Sequence, residues 1–272
     1  MIEPVRDADD PRIAAYRDVP DAELVRSRGL FVAEGRHVVR RVIEDGRYRV
    51  QSLLVSEAAR RALEPLIAAV APGVPIYVCD AADFLGITGH HLHRGCLALV
   101  ERPPARSIDA VIADAALIVV LEAVGNADNV GGVFRNAAAF GAAGVILSPT
   151  CCDPLYRKAI RTSMGAALRV PFARAGDWPG VLSQVRAAGF TIVALTPREP
   201  SELLDAFRAR PRHDRVALVV GTEGTGLTPS VEATADYRVR IPTNAGVDSL
   251  NLAVAAGIAL YALRPSTFFR QR

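Results

Sequence analysis

Runs of apolar residues alternate with amphipathic segments along the second half of the chain. The runs predict buried strands, at LIVVL (117–121), GVILS (144–148), FTIVALT (190–196), VALVVG (216–221) and YRVRIP (237–242). Between and after them the pattern predicts helices at about 130–140, 154–166, 178–188 and 249–263. Strands that alternate with helices predict an α/β fold with a parallel sheet covered on both faces.

The first hundred residues carry a similar pattern and predict a small α/β domain. Helices are predicted at about 10–28, 35–45 and 57–70, and strands at LFVAEG (30–35), QSLLVS (51–56), PIYVCD (75–80) and CLALV (96–100). The segment ERPPARSID (101–109) contains two adjacent prolines and flanking charges, which are typical of a linker. We therefore expect an N-terminal domain at 1–101, a linker at 102–113 and a second domain at 114–272.

Composition narrows the class of protein. The chain has 272 residues, of which 50% are hydrophobic and 22% are charged, so it is globular and long enough for a large core. The net charge is +3, and Lys158 is the only lysine, so nearly every cation is an arginine suited to phosphate. Four cysteines without a C-x-x-C pair, an acidic N-terminus and no long apolar run favour a cytoplasmic location.

Ligands of parallel sheets bind beyond the carboxyl ends of the strands, so the loops after those ends are the informative ones. The first such loop, at 122–142, is rich in glycine and asparagine and opens a helix. Asn129 or Asp128 is expected to cap that helix, and Arg135 follows six residues after Asn129. An anion could bind at this helix N-terminus. Spacing alone equally allows an ordinary capped turn with a surface arginine.

Two further loops complete the candidate site. VVGTEGTGLTP (219–229) surrounds Glu223 with glycines, but it matches neither a dinucleotide fingerprint nor a Walker A motif. IPTNAGVDSLN (241–251) ends in Ser249, which we expect to cap the last helix, and Asn251 then lies in the first turn. That helix is expected to have an apolar face of mostly small residues: Leu252, Ala255, Ala256, Ala259 and Leu260.

Together and in this order, the three segments resemble the SpoU–TrmH branch of the SPOUT RNA methyltransferases. The matching positions are Asn129, Gly131 and Arg135; Gly221, Glu223 and Gly226; and Ile241, Pro242, Ser249, Leu250 and Asn251. CDPLYRKAIRTSMGA (152–166) is similar to a family segment with Arg, Ser and Gly, here Arg161, Ser163 and Gly165. The N-terminal part is similar to a small RNA-binding domain that resembles a ribosomal protein.

The resemblance implies a C-terminal domain with a deep trefoil knot whose loops hold S-adenosylmethionine. The cofactor-binding residues would be Leu195, Thr196, Gly221, Thr222, Glu223, Gly224, Ile241, Pro242, Ser249 and Leu250. The catalytic residues would be Asn129, Arg135, Glu223, Ser249 and Asn251. The family implies a homodimer with the active site assembled across the interface, and the small-residue face of the last helix would pack there.

The implied reaction transfers a methyl group to a ribose 2′-hydroxyl of structured RNA. Ribosomal RNA is favoured over transfer RNA because of the appended N-terminal domain. Arg135 would be either a general base or, as we prefer, a cation that binds phosphate and stabilises the developing alkoxide. A catalytically inactive RNA-binding relative and a Rossmann-type nucleotide enzyme remain alternatives.

The chain departs from the family pattern at several positions, where Ala127 replaces Pro, Thr243 replaces Met and Ala245 replaces Gly. These changes affect the expected loop shape. No metal is expected, because His90, His91, His93 and Cys96 have no second ligand pair at zinc spacing. Trp178 is expected to serve in helix packing.

Overall fold

The computed structural model describes residues 2–17, 19–70, 72–80, 84, 87, 95–211, 213–244, 246 and 249–265. The chain divides into two compact units, Met1–Pro104 with Asp153–Leu168, and Ala105–Cys152 with Arg169–Arg272. The boundaries predicted at 1–101, 102–113 and 114–272 stay a prediction. The packing nevertheless groups Asp153–Leu168 with the first unit, which the local sequence pattern did not indicate.

The described residues form twelve strands, each placed here by its bounds. They are β1 (Ile2–Pro4), β2 (Leu30–Glu34), β3 (Val50–Ser56), β4 (Ile76–Cys79), β5 (Cys96–Glu101), β6 (Leu117–Leu121), β7 (Gly144–Leu147), β8 (Phe172–Arg174), β9 (Thr191–Leu195), β10 (Glu202–Leu203), β11 (Val216–Val220) and β12 (Tyr237–Arg240).

The described α-helices are mostly short, and two are long. They are α1 (Ala14–Arg17), α2 (Asp21–Arg26), α3 (Arg36–Asp45), α4 (Glu57–Ala62), α5 (Glu64–Ile67), α6 (Ile108–Ile112), α7 (Ala127–Phe140), α8 (Arg157–Thr162), α9 (Val181–Ala187), α10 (Leu204–Ala209), α11 (Pro229–Thr234) and α12 (Leu252–Leu263). Single 3-10 turns occur at Pro11–Ile13 and Ala166–Leu168.

The first unit contains a mixed sheet in the order β1-β4-β3-β5-β2. β5 is antiparallel to β3 and β2, and the other pairs are parallel. The predicted continuous helix at 10–28 is wrong, because Pro20 separates α1 from α2 and proline disfavours helical backbone before it. Tyr16 is fully buried, and its hydroxyl lies 2.6 Å from Ser52 Oγ. Burial raises the pKa of Tyr16 above its ordinary value.

The second unit contains a sheet of seven parallel strands in the order β10-β12-β9-β11-β6-β7-β8. The predicted α/β class and parallel sheet are therefore confirmed. Alternate residues of the central strands, such as Ile118, Ile192 and Val219, join one core with Leu182 and Val231 from the helices. The strands at 117–121, 191–195 and 216–220 lie where the apolar runs predicted them.

Candidate cofactor and catalytic site

Three loops at the carboxyl edge of the parallel sheet enclose a cavity of about 380 Å³. They follow β9, β11 and β12, which are adjacent strands, so their loops meet at one place. The cavity is lined by Leu195, Thr196, Pro197, Val220, Gly221, Thr222, Glu223, Gly224, Gly226, Arg240, Ile241, Thr243, Ser249, Leu250, Asn251, Leu252 and Ala255. The lining contains every predicted cofactor-binding residue except Pro242, which is exposed.

The loop at 221–227 (the glycine loop) depends on tight backbone packing. Gly221 lies against the far side of the loop, where an added Cβ would be 2.3 Å from the Gly226 carbonyl carbon and 2.5 Å from the Leu227 nitrogen. Thr222 and Gly226 form an isolated antiparallel bridge, and Gly226 has a φ of 68°. The side of the cavity that this loop forms is thus backbone with little side-chain bulk, which lets a ligand approach closely.

Asn251 joins two other predicted catalytic residues, Asn129 and Glu223. Its Oδ1 accepts hydrogen bonds from Ala253 N–H at 3.0 Å and Val254 N–H at 3.3 Å, and so caps α12. Its Nδ2 donates to Asn129 Oδ1 and to Glu223 Oε1, both at 3.0 Å. The amide oxygen thus accepts two hydrogen bonds and the amide nitrogen donates two, so contacts at both atoms fix the orientation of the side chain.

The predicted cap at Ser249 is wrong. The helix begins at Leu252, and Asn251 has the extended backbone of a capping residue, with φ −52° and ψ 138°. Ser249 is exposed and lines the cavity two residues before the cap. An asparagine caps as well as a serine does, so composition alone did not distinguish the two residues.

The predicted cap of α7 at Asn129 or Asp128 is also wrong. Asn126 caps this helix, with its Oδ1 accepting from Asp128 N–H at 2.9 Å. Asn129 instead lies in the first turn, where it is buried with 4% of its surface exposed. The polar first turn lacks apolar periodicity, and the pattern therefore placed the start of the helix at about 130 instead of Ala127.

Of the predicted catalytic residues, Asn129 and Arg135 do not line the cavity, and Asn129 is hydrogen-bonded to Asn251, which does. Arg135 is exposed on α7, whereas Asn129 on the same helix is buried. The Arg135 side chain makes no hydrogen bond or ion pair with the residues that the structure describes. Asn129, Glu223 and Asn251 are thus assembled within one chain, Ser249 lines the same cavity, and Arg135 presents an unpaired guanidinium elsewhere on this unit.

The segment similar to the family's Arg, Ser and Gly residues belongs to the first unit. Arg161 Nη1 lies 3.0 Å from Glu34 Oε1, and the Glu34 side chain is buried. Ser163 Oγ donates to Ile160 O at 2.9 Å and accepts from Ala167 N–H at 3.2 Å. In this chain, therefore, Arg161 and Ser163 make contacts that hold the segment in its own unit.

Sequence reasoning missed Glu122, a buried carboxylate at the carboxyl end of β6. Its Oε1 accepts from Trp178 Nε1 at 2.9 Å and from Thr228 Oγ1 at 2.8 Å, and its Oε2 accepts from Thr228 N–H at 2.8 Å. Trp178 packs against the core as expected and has this polar contact in addition. An acidic residue directly after an apolar strand was the available signal.

The small-residue face of α12 packs within the chain, so the expectation that it forms a subunit interface is wrong. Ala256, Ala259 and Leu260 are fully buried. The contact with α7 is close: a Cβ added to Gly132 would lie 2.6 Å from Ala253 Cβ. The opposite face of α12 instead exposes large apolar side chains, namely Val254, Ile258 and Tyr261.

Some predicted features lie outside the described residues, namely Ala245, Asp248, His90, His91 and His93. The part of the chain that the structure describes contains no group of three His, Cys, Asp or Glu side chains placed to hold a metal ion. None of the helices described is both long and apolar enough to cross a membrane. All four cysteines are free and buried, and burial raises the pKa of Cys96 to about 12.

Comparison with known proteins agrees with this architecture. Residues 116–261 match the SpoU rRNA Methylase family, and the chain belongs to that family. An uncharacterized tRNA/rRNA methyltransferase of Mycobacterium tuberculosis is 40% identical over 264 residues, which cover 96% of this chain and 91% of the relative. The resemblance recognised from the three loops is confirmed, and the protein is an RNA methyltransferase of the SpoU family.

Solved structures resemble the whole chain. The AdoMet-bound rRNA methyltransferase from Sinorhizobium meliloti has a TM-score of 0.82 at 25% identity, covering 96% of this chain and 97% of that one. An RNA 2′-O ribose methyltransferase has a TM-score of 0.78 at 24% identity, covering 99% of each chain, which shows the shared fold. The family uses S-adenosylmethionine, as the resemblance implied.

The cavity suits this cofactor in size and chemistry. Its volume falls in the range of about 300–1,000 Å³ that is usual for small-molecule sites. Leu195, Ile241 and Leu250 form an apolar part of the wall that could hold a ring such as adenine, and the glycine loop has backbone groups that could bind the polar edge of such a ring. A side chain at Gly221 would collide with the opposite side of the glycine loop, so this part of the cavity wall requires glycine at position 221.

Proposed function

We propose that this protein methylates a ribose 2′-hydroxyl of structured RNA, with ribosomal RNA as the favoured substrate. The observation that supports this most strongly is the hydrogen-bonded set Asn129–Asn251–Glu223 beside a cavity suited to S-adenosylmethionine. The five proposed catalytic residues are Asn129, Arg135, Glu223, Ser249 and Asn251. The proposed cofactor-binding residues are those predicted from the sequence, Pro242 included.

Each proposed role follows from the chemistry of the side chain. Asn251 holds Glu223 and Asn129 in fixed positions, so these three orient the ribose and the loops around it. Ser249 is exposed at the cavity and supplies a hydroxyl to the substrate. S-adenosylmethionine, when bound, supplies an electrophilic methyl group. The protein's contribution is alignment of the attacking oxygen, which needs no metal.

Arg135 acts as a cation in this proposal. A guanidinium keeps its positive charge in proteins, so it is suited to stabilise negative charge and not to accept a proton. Arg135 binds the phosphate next to the target ribose and stabilises the negative charge that develops on the 2′-oxygen. The hydroxyl proton would pass to a substrate phosphate as the 2′-oxygen bonds to the methyl carbon. The bond between that carbon and the sulfonium sulfur would break, and its electron pair would stay on the sulfur of the departing S-adenosylhomocysteine.

The proposal includes a homodimer and a trefoil knot, as the resemblance implies. An exposed apolar face on α12, with Val254, Ile258 and Tyr261 spaced four and three residues apart, supports association of two copies. Association would also let Arg135, which lies outside its own chain's cavity, complete a site on the partner. The N-terminal domain would bind the RNA substrate, and the cytoplasmic location expected from the sequence is part of the proposal.

The decisive test is methyl transfer to RNA that lacks the modification. The purified protein would be incubated with tritiated S-adenosylmethionine and total RNA from cells deleted for its gene, and ribosomal and transfer RNA would then be separated. We expect label in ribosomal RNA, recovered after alkaline hydrolysis as a 2′-O-methyl dinucleotide. Label in transfer RNA would change the substrate class. Cofactor binding without any label would favour the alternative of a catalytically inactive RNA-binding relative.

A test of assembly uses the exposed face of α12. Ile258→Asp should convert a dimer to a monomer in analytical ultracentrifugation, since a buried carboxylate would oppose association. The matched control is Arg208→Asp, which changes an exposed residue on α10 in the same unit. A wild-type protein that sediments as a monomer would exclude the proposed homodimer.

A further inference from the structure

The glycine loop is held from outside the cavity by Arg198, which follows β9. Arg198 Nη1 donates to Leu227 O at 2.8 Å, and Nη2 donates to Thr225 O. The guanidinium therefore spans Gly226, and a Cβ added to that glycine would lie 3.7 Å from Nη2. One side chain thus binds two carbonyls in the second half of the glycine loop.

Arg198 is itself anchored by buried polar groups. Its backbone N–H donates to Thr196 Oγ1 at 3.2 Å, and Thr196 Oγ1 donates to Glu232 Oε1 at 2.8 Å. Arg198 Nη1 also lies 3.4 Å from the same carboxylate oxygen. Thr196 and Glu232 expose only 3% and 9% of their surface, so the groups that anchor Arg198 are fixed, although 46% of the Arg198 side chain itself is exposed. The network joins the loop after β9, the glycine loop and α11.

The glycine loop needs such support because it has little structure of its own. Its internal backbone contacts are the Thr222–Gly226 bridge and a hydrogen bond from Thr225 N–H to Glu223 O at 3.2 Å, and Gly224 and Gly226 both have positive φ. Glycines make an unsupported loop conformationally free. Glu223, which accepts the hydrogen bond from Asn251, lies at the tip of this loop. The position of Glu223 therefore depends on how the loop is held.

We propose that Arg198 is a positioning residue that keeps the glycine loop in its cofactor-binding shape before the cofactor arrives. This rests on the proposed assignment of the cavity as the cofactor site. Arg198 does not line the cavity, so it acts through the loop. Without Arg198, part of the binding free energy would be spent on ordering residues 221–227.

Arg215 offers a matched control at the opposite edge of the same sheet. It donates to Ala115 O at 2.9 Å, Ala188 O at 2.7 Å and Ala113 O at 3.1 Å. It thus makes the same kind of arginine-to-carbonyl contacts as Arg198. Arg215 contacts no part of the cavity lining, so its removal tests general destabilisation alone.

The experiment compares full-length wild type with R198A, R198K, E232Q and R215A. Affinity for S-adenosylmethionine is measured by calorimetry, amide exchange of residues 222–227 is measured without cofactor, and thermal unfolding is recorded. R198A should weaken binding about tenfold and speed exchange in the glycine loop, because the loop is no longer held before binding. R198K keeps one carbonyl contact, so its affinity and its loop exchange should lie between those of wild type and R198A. E232Q should resemble R198K in both quantities.

R215A should lower the unfolding temperature and leave the affinity within about twofold of wild type. The proposal is overturned if R198A binds the cofactor as wild type does with unchanged loop exchange, or if R215A weakens binding as much as R198A. Failure of the proposed function is a separate result: wild type would bind the cofactor with Arg198-dependent affinity and transfer no methyl group to RNA. Absence of cofactor binding by wild type would overturn both.

Discussion

At each edge of the parallel sheet an arginine binds loop carbonyls, but the two contacts differ in what they hold. At the amino edge, Arg215 binds carbonyls of the turns before β6 and β9, and its guanidinium lies 4.2 Å from the centre of the Phe190 ring. At the carboxyl edge, Arg198 also binds loop carbonyls, but the loops it holds leave a cavity of about 380 Å³. Arg215 thus ties turns together at one edge, whereas Arg198 binds a loop that lines a cavity at the other.

This difference indicates that the candidate functional groups lie in the loops at the carboxyl edge. The strands support the loops at both edges. β6, β9 and β11 are buried along their central residues and run in register from one edge to the other. Changes at the carboxyl edge should therefore alter binding or turnover with modest loss of stability. Changes at the amino edge should lower stability and leave binding and turnover nearly unchanged.

The largest effect is expected for Arg135→Ala. If Arg135 stabilises charge in the transition state, its loss should lower turnover about a thousandfold, as removal of a single oxyanion donor can. The affinity for S-adenosylmethionine should stay within about twofold, since Arg135 does not line the cavity. Single-turnover methyl transfer and calorimetry measure the two quantities. Turnover above a tenth of wild type would contradict the proposed role.

Gly221→Ala should abolish most cofactor binding. The added methyl group would overlap the Gly226 carbonyl at 2.3 Å and force the glycine loop open. We expect affinity to fall about a hundredfold, which corresponds to about 2.7 kcal/mol. Gly125→Ala is the matched control, because a Cβ there meets nothing within 4 Å and its φ is not positive. Equal effects of the two variants would show that the close approach at Gly221 is unimportant.

Asn251→Asp separates the cap of α12 from the catalytic set. Aspartate still accepts from Ala253 and Val254 N–H, so the unfolding temperature should change little. It cannot donate to Asn129 and places a carboxylate 3.0 Å from Glu223, so kcat/KM should fall about thirtyfold. Asn251→Ala removes the cap as well and should cost about 1 kcal/mol of stability. Full activity of Asn251→Asp would remove Asn251 from the proposed set.

Arg215→Ala should have the smallest effect on binding and a clear effect on folding. Several carbonyls lose their donor, and we expect the free energy of unfolding to fall by about 2 kcal/mol. Urea denaturation monitored by circular dichroism measures this change. Loss of cofactor affinity in this variant would contradict the division between the two edges.

Much of the second unit was predictable because its signals are local. Five consecutive apolar residues at Leu117–Leu121 and at Val216–Val220 predict buried strands without knowledge of their neighbours. The spacing of residues in the sequence also predicted the glycine loop and the Asn and Ser positions of the other two loops. The ends of the helices were less predictable, because Asn126 and Asn251 competed with neighbouring polar residues as caps.

The sequence by itself determined the α/β class, the central strands and the family, because apolar periodicity and motif order are properties of neighbouring residues. Only the tertiary structure decided that Asn251 binds residues 122 and 28 positions away in the chain, that Arg198 holds the glycine loop, and that Asp153–Leu168 packs with the first unit. These contacts depend on which strand ends become adjacent in the sheet. That adjacency is a long-range result of folding, which no local pattern contains.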